Sequence, residues 1–207
     1  TIPLVMVLKT ILDRYGLKRV DIATYQAVSG AGKAGIDELN QQLQAYPQAL
    51  PAQTFSQPIL NNVIASIDAL TESGYTLEEL KLHHESRKIL RMPDLIVNAT
   101  AVRVPVMQGH SEAVSIETVT EVNIQTLCQL LKETNHVTLL TMPELPNPLA
   151  HAENGGTVWV GRVRQLPGDA LNRVSLWLLA NNIHRGAALT AIDIAARLGA
   201  FNAILSR

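Results

Sequence analysis

Apolar residues recur along this chain at two alternating spacings, and the changes from one to the other mark its elements. Between Ile2 and Tyr15, the residues Leu4, Val5, Leu8, Ile11 and Leu12 form a helical stripe, with Pro3 tolerated in the first turn and Gly16 just past the end. Lys18 to Val28, rich in Val, Ile, Thr and Tyr, predicts a strand. Helical spacing returns from Ala31 to Ala45 through Ile36, Leu39 and Leu43. The prolines between Tyr46 and Pro58 then predict an irregular excursion over the surface. A helix from about Thr76 to Leu90 opens with Thr76 and Glu79 at capping-box spacing and is closed by Pro93.

Leu95 to Val106 and Ser111 to Val119 predict two strands joined by the tight segment Met107-Gln108-Gly109. Asn123 to Glu133 is helical, Val137 to Thr141 a short strand, and Pro143 to Gly156 a Pro/Gly/Asn loop. Thr157 to Arg164 and Arg173 to Ala180 predict a hairpin, and a last helix covers roughly Gly186 to Ser206. Several successive strands are joined by connections too short for a crossover helix, so part of the sheet must be antiparallel. The expected fold is one α/β (α+β) domain over residues 1–207, with a mixed, largely antiparallel sheet covered by helices.

Composition narrows the class. The 207 residues suffice to bury a core without disulfide or metal staples, and 47% apolar content argues against disorder. Seventeen Lys and Arg against eighteen Asp and Glu leave a formal charge of -1. With no run of like charges, that balance argues against a polybasic binder of nucleic acid or membrane surfaces. The longest clean apolar run, Ile2 to Leu8, is too short to span a membrane and lacks the flanks of a signal peptide. One cysteine cannot build a disulfide framework or a multi-Cys zinc site, and it points to a reducing, cytoplasmic setting. The start at Thr rather than Met suggests a cut or processed piece.

Gly30-Ala31-Gly32-Lys33-Ala34-Gly35 satisfies G-x-G-x-x-G between a predicted strand and helix. A dinucleotide site also needs an acidic residue about twenty positions on, and no Asp or Glu occurs between Glu38 and Asp68. The alternative is a glycine turn that admits close backbone approach. Cys128 lies inside an amphipathic helix without a neighbouring His, which predicts a packed core cysteine rather than a nucleophile. His83 and His84 point about a hundred degrees apart on a helix, poor geometry for a shared metal, and no metal site is expected. His110 follows Arg103 by seven residues, so an unbroken strand would turn the two to opposite faces. Pro105 and the Gly109 turn allow that alternation to break, leaving a functional pair or a structural Arg with a surface His. Glu78, Lys81 and Glu85 share one helix face, as a solvated salt-bridge ladder or a binding face.

Several segments, in this order, resemble the aspartate-semialdehyde dehydrogenase family: Thr24-Tyr25-Gln26-Ala27-Val28-Ser29-Gly30-Ala31-Gly32, Glu78-Glu79-Leu80-Lys81 with Glu85-Ser86-Arg87-Lys88-Ile89, Arg103-Val104-Pro105-Val106 with Gly109-His110-Ser111, Val160-Gly161-Arg162-Val163-Arg164, and Gly186-Ala187-Ala188-Leu189. The resemblance spans nearly the whole chain. It implies the fold of the C-terminal domain of glyceraldehyde-3-phosphate dehydrogenase-like enzymes. It also implies that the chain starts just after the motif holding the family's catalytic cysteine. On that footing this is the substrate-binding and dimerisation part of a homodimeric, NADP-dependent enzyme, with the nucleotide-binding half absent, helix 186–206 packing on that half, and the isolated chain inactive. The family reaction converts aspartyl phosphate and NADPH to aspartate semialdehyde, phosphate and NADP, in lysine, threonine and methionine biosynthesis.

The resemblance implies a role for each matched residue. His110 is the general acid and base, and Gln26 orients the thioester carbonyl. Arg103 clamps the substrate carboxylate, Glu78 receives the ammonium, and Lys81 meets the phosphate. Asn182 and Gly186 stand where the cofactor half would meet the chain. Asn181, Thr190 and Asp193 replace the family's frequent Asp, Asn and Gln in that region.

Overall fold

A computed structural model describes residues 1–198. In chain order the elements are α1 (Ile2–Tyr15), β1 (Arg19–Gln26), a 3-10 turn (Val28–Ala31), α2 (Gly32–Ala45), α3 (Leu77–Leu90), β2 (Ile96–Arg103), β3 (His110–Glu117), α4 (Ile124–Glu133), β4 (Val137–Leu139), α5 (Pro148–His151), β5 (Val158–Arg164), β6 (Arg173–Ala180), a π-helical turn (His184–Ala188) and α6 (Leu189–Arg197). The six strands form one sheet in the order β2-β1-β3-β6-β5-β4. Pairs β1·β2 and β4·β5 are parallel, while β1·β3, β3·β6 and β5·β6 are antiparallel. The sheet is therefore mixed and mostly antiparallel, as its pattern predicts.

Helices α1, α3 and α4 cover one face of this sheet. Strand burial alternates with period two, so Val20, Ile22, Val97, Ala99, Val114, Ile116, Val174 and Leu176 point into that layer. They meet Leu4, Leu8 and Ile11 of α1, Leu82 of α3 and Leu127 and Leu131 of α4 in one continuous core. A smaller core, Val28, Leu39, Ile59 and Ile64, joins α2 to the segment that follows it. Among the described residues no helix lies over the opposite sheet face. Asp21, Tyr25, Asn98, Thr100, Ser115, Arg162, Arg164 and Trp177 lie there along a shallow trough, with the Tyr25 and Trp177 ring centroids 5.4 Å apart.

Three details differ from the sequence pattern. The two strands flanking Met107-Gln108-Gly109 do not form a hairpin, because β1 lies between them and pairs with both. The tight segment therefore spans a strand, a long-range arrangement that local spacing does not encode. The 143–156 loop contains the short helix α5, begun by Asn147 accepting from the Ala150 N–H. The last helix starts as a π-helical turn and is described through Arg197; residues 199–206 of that expected helix lie outside the described residues.

Helix α3 is fixed at its start by the predicted capping box. Thr76 Oγ1 accepts from the Glu79 N–H at 3.3 Å, and Glu79 Oε2 accepts from the Thr76 N–H at 2.7 Å. The other Glu79 oxygen accepts from the Ala101 N–H of edge strand β2 at 2.9 Å, so one buried carboxylate ties the helix to the sheet. Thr76→Ala should cost about 1 kcal/mol of stability, the usual worth of an N-cap. Glu79→Ala strands the buried Ala101 N–H as well and should cost about 2–3 kcal/mol. Urea unfolding of the two variants measures the order; equal losses would mean that the tie to Ala101 contributes nothing.

Candidate active site

The C-terminal ends of β1 and β6, the N-terminal end of β3, the start of α1, one face of α3 and the π-helical turn enclose a cleft of about 550 Å³. Its wall includes Thr1, Gln26, Gly30, Glu78, Lys81, His110, Glu112, Asn182 and Gly186. Of the residues expected at a site, only Arg103 is off the wall. It lies directly behind Gly30.

Gly30 explains how Arg103 and His110 converge despite their odd spacing. A Cβ at this position would fall 2.5 Å from Arg103 Nη1 and 3.2 Å from His110 Nε2, so only glycine lets the backbone pass between the two side chains. Gly109 supplies the break in alternation, with φ +93° at the residue before His110. The glycines of the G-x-G-x-x-G segment thus serve close approach. The chain runs on into α2 and the proline-rich segment, and the parallel neighbour of β1 arrives only at β2.

His110 Nδ1 accepts from the Ala27 N–H at 3.0 Å, so in the neutral ring the proton sits on Nε2. Its edge reaches the cleft while its body lies deep in protein. Burial, then the Arg103 charge and the chain's amino end, push its pKa down to about 3. Arg103 Nη1 donates to the Ala27 carbonyl at 2.7 Å, and the guanidinium stands 5.8 Å from the centre of the Phe55 ring. Burial lowers its pKa, and Glu78 opposes that shift. The backbone of Arg103 is pinned at the sheet edge by paired bonds with Ile64, 2.8 and 3.0 Å long.

Gln26 Nε2 donates to Glu78 Oε1 at 3.0 Å, and Lys81 Nζ meets Glu78 Oε2 at 2.7 Å. The Glu78–Lys81 ladder and the cleft wall are thus the same structure. The carboxylate raises the Lys81 pKa. Asn182 clasps the cleft from the β6 side: its Oδ1 accepts from the Gly109 N–H at 3.1 Å and its Nδ2 donates to Ser29 Oγ at 3.0 Å. Asn181 Oδ1 accepts from the N–H groups of Ile183 and His184 and so starts the π-helical turn that carries Gly186. Thr190 and Asp193 hold the same turn through the Arg185 carbonyl and guanidinium.

Other candidates separate from the cleft. Cys128 is half-buried on α4 rather than fully packed, because the buried positions of that helix are taken by Leu127 and Leu131, with Ile124 and Leu130 packed beside them, and burial raises its thiol pKa. The His83 and His84 rings touch edge to face, centroids 5.0 Å apart. Both nitrogens of His83 are engaged, with the Val97 carbonyl and Arg87. Sequence reasoning missed Thr24, Phe55 and Glu112. Thr24 and Glu112 were discoverable, each two residues along a strand from a chosen site residue and so on the same face. Phe55 lay hidden in a proline-rich segment that returns to the core.

Residues 8–185 match the family described as semialdehyde dehydrogenase, dimerisation domain. Aspartate-semialdehyde dehydrogenase 2 of Vibrio cholerae is 41% identical over 199 residues, which cover 94% of this chain and 58% of that protein. A solved structure of aspartate semialdehyde dehydrogenase II from Vibrio cholerae complexed with ASA has a TM-score of 0.89 at 41% identity, over 95% of this chain and 59% of the other. An aspartate semialdehyde dehydrogenase with NADP from Candida albicans has a TM-score of 0.71 at 25% identity, over 97% and 55%. The chain spans somewhat more than half the length of the relatives it matches.

The His110 environment has a signed consequence. Its pKa falls from 6.5 to about 3 on folding, so between those values the unfolded chain binds a proton that the folded chain refuses. Stability should fall as pH drops through that window, and His110→Asn should flatten the slope. Imidazole NMR should find His110 neutral at pH 5; a protonated ring there contradicts the described burial.

Proposed function

The chain belongs to the aspartate-semialdehyde dehydrogenase family, as its dimerisation domain, and from that premise we propose that it forms the substrate grip and acid/base part of an NADP-dependent enzyme acting on aspartyl phosphate. The observation that carries this is the convergence of Gln26, Glu78, Lys81 and His110 on one cleft, with Arg103 behind Gly30. Glu78 offers a carboxylate for the substrate ammonium, and Lys81 beside it a point charge for the phosphate. Arg103 uses Nη1 on Ala27, which leaves its Nε/Nη2 edge as the bidentate fork for the α-carboxylate. Gln26 directs its amide at the acyl carbonyl.

The nucleophilic thiol belongs to the half that precedes Thr1 in the relatives. Thr1 lines the cleft at the start of α1, where the positive end of the helix dipole favours a thiolate. Attack on the acyl phosphate would form a thioester and release phosphate, and the hydride that NADPH would supply from the other half would take that thioester to the tetrahedral oxyanion that collapses to aldehyde and thiolate. His110 Nε2–H faces that oxyanion as a hydrogen-bond donor, and taking a proton at that nitrogen would first require the ring to release the Ala27 N–H and carry its own proton on Nδ1.

NADP would be held by the nucleotide-binding half and would supply the redox chemistry there. Asn182 and Gly186 are this chain's contacts toward it. Helix α6 buries none of its residues, and Ile192, Ile194 and Leu198 are 49%, 54% and 78% exposed. That apolar face, exposed among the described residues, fits docking against the nucleotide-binding half. The helix-free sheet face with Tyr25 and Trp177 fits the partner copy of a homodimer. A reducing compartment such as the cytoplasm keeps the thiol available, and the products serve amino-acid biosynthesis, on the route to lysine, threonine and methionine.

The isolated chain should not reduce NADP with aspartate semialdehyde and phosphate, whereas its fusion to a relative's nucleotide-binding half should. In that fusion His110→Ala should lower kcat by about 10²–10⁴-fold, and Arg103→Lys should mainly raise KM by removing the fork. An inactive fusion, or an unchanged His110→Ala, sinks the assignment. Sedimentation of the fusion should give a dimer that Trp177→Arg dissociates; a dimer untouched by that charge places the interface elsewhere.

A further inference from the structure

One step inward from Gln26 and His110, the same sheet face carries a second polar group. Thr24 precedes Gln26 by two residues and Glu112 follows His110 by two, so all four point to one side. Thr24 and Glu112 are direct cross-strand partners in the β1·β3 pair, and Gln26 stands diagonally from Glu112, within reach of long side chains. Thr24, Gln26 and Glu112 are 2%, 8% and 4% exposed. Each has a buried oxygen without a partner: Thr24 Oγ1, Gln26 Oε1 and Glu112 Oε2. Native interiors pair such atoms, and three orphans in one corner call for a shared donor.

An ionised Glu112 is no such donor, because a carboxylate only accepts. Among the described residues no Lys, Arg or His forms an ion pair with it. The titratable groups around this corner are His110, neutral and bonded to Ala27; Glu78 and Lys81, paired with each other; Glu85; and the amino end at Thr1. Burial pushes the Glu112 carboxyl up, opposed by that amino end alone.

We propose that Glu112 is a positioning residue that works as a neutral carboxylic acid, its O–H supplying the missing donor for Thr24 and Gln26 and thereby fixing the Gln26 amide. No direct hydrogen bond joins these three side chains in this structure, so the bond from Glu112 to Thr24 Oγ1 and the one from the Thr24 hydroxyl to Gln26 Oε1 each run across a bridging water or follow a small side-chain rotation. With its carbonyl end held, the amide keeps Nε2 on Glu78, whose second oxygen takes Lys81. A line of hydrogen bonds then runs from the buried acid to the ammonium at the cleft surface. Its catalytic value rests on the proposed role of Gln26; its existence does not.

The chain itself provides the test, by NMR with labelled glutamate carboxyls and glutamine amides. At pH 7 the Glu112 signal should be that of a neutral acid, assigned by its loss in Glu112→Gln. The Gln26 amide should be ordered in the wild type and in Glu112→Gln, which keeps a neutral donor. It should become as mobile as exposed Gln125 in Glu112→Leu and in Thr24→Val. An ionised Glu112 at pH 7, or a Gln26 amide equally ordered in Thr24→Val and wild type, overturns the proposal; the near-isosteric Thr24→Val decides this even if Glu112→Leu does not fold. In an active fusion enzyme, Glu112→Leu should lower kcat about tenfold with KM little changed, through misplacement of Gln26, and Glu112→Gln should restore it; equal losses in both overturn it. A wild-type fusion without activity would count against the proposed function and leave the amide result standing.

Discussion

The geometry of the cleft depends on the backbone of one residue. Ala27 is fully buried at the end of β1, where the strand ladder stops and its polar groups still need partners. Its N–H goes to His110 Nδ1 and its carbonyl accepts from Arg103 Nη1. A cost that most strand ends meet with water is met here by two side chains from two other strands. That single residue sets the tautomer of the imidazole, the bearing of the guanidinium and the distance between them. Gly30, three residues on, is the space both side chains require.

The surrounding architecture serves to bring those strands to Ala27. β1 must pair in parallel with β2 and antiparallel with β3, so that the end of β2 and the start of β3 arrive at the same edge of the sheet. Pairing of Arg103 with Ile64 holds one side, and the Asn182 clasp on Gly109 and Ser29 holds the other. Glu79 ties α3 to β2 and so places Glu78 and Lys81 over the cleft. None of these ties is strong alone. Together they leave the site little freedom to drift.

Much of this was legible in the chain. The period of α1, the capping box of Thr76 and Glu79, and the β5–β6 hairpin are local signals, and the structure follows them. The break in alternation between Arg103 and His110 was legible too, because Gly109 and Pro105 are local. What was not legible is long-range. Insertion of β1 between β2 and β3 leaves no mark on spacing, and the return of Phe55 to Arg103 is masked by prolines that suggest surface. Glu112 is a different case: a carboxylate in a strand suggests solvent, but its two-residue spacing from His110 puts it on the inward face, and the register with Thr24 agrees.

The two faces of β1 are divided residue by residue: Thr24 and Gln26 look into the cleft, while Asp21 and Tyr25 look out over the open side. Because strand side chains alternate, a deletion or insertion of one residue here would exchange the two sets wholesale. The length of the strand therefore registers the cleft and the outer surface jointly, and neither can be shifted without the other.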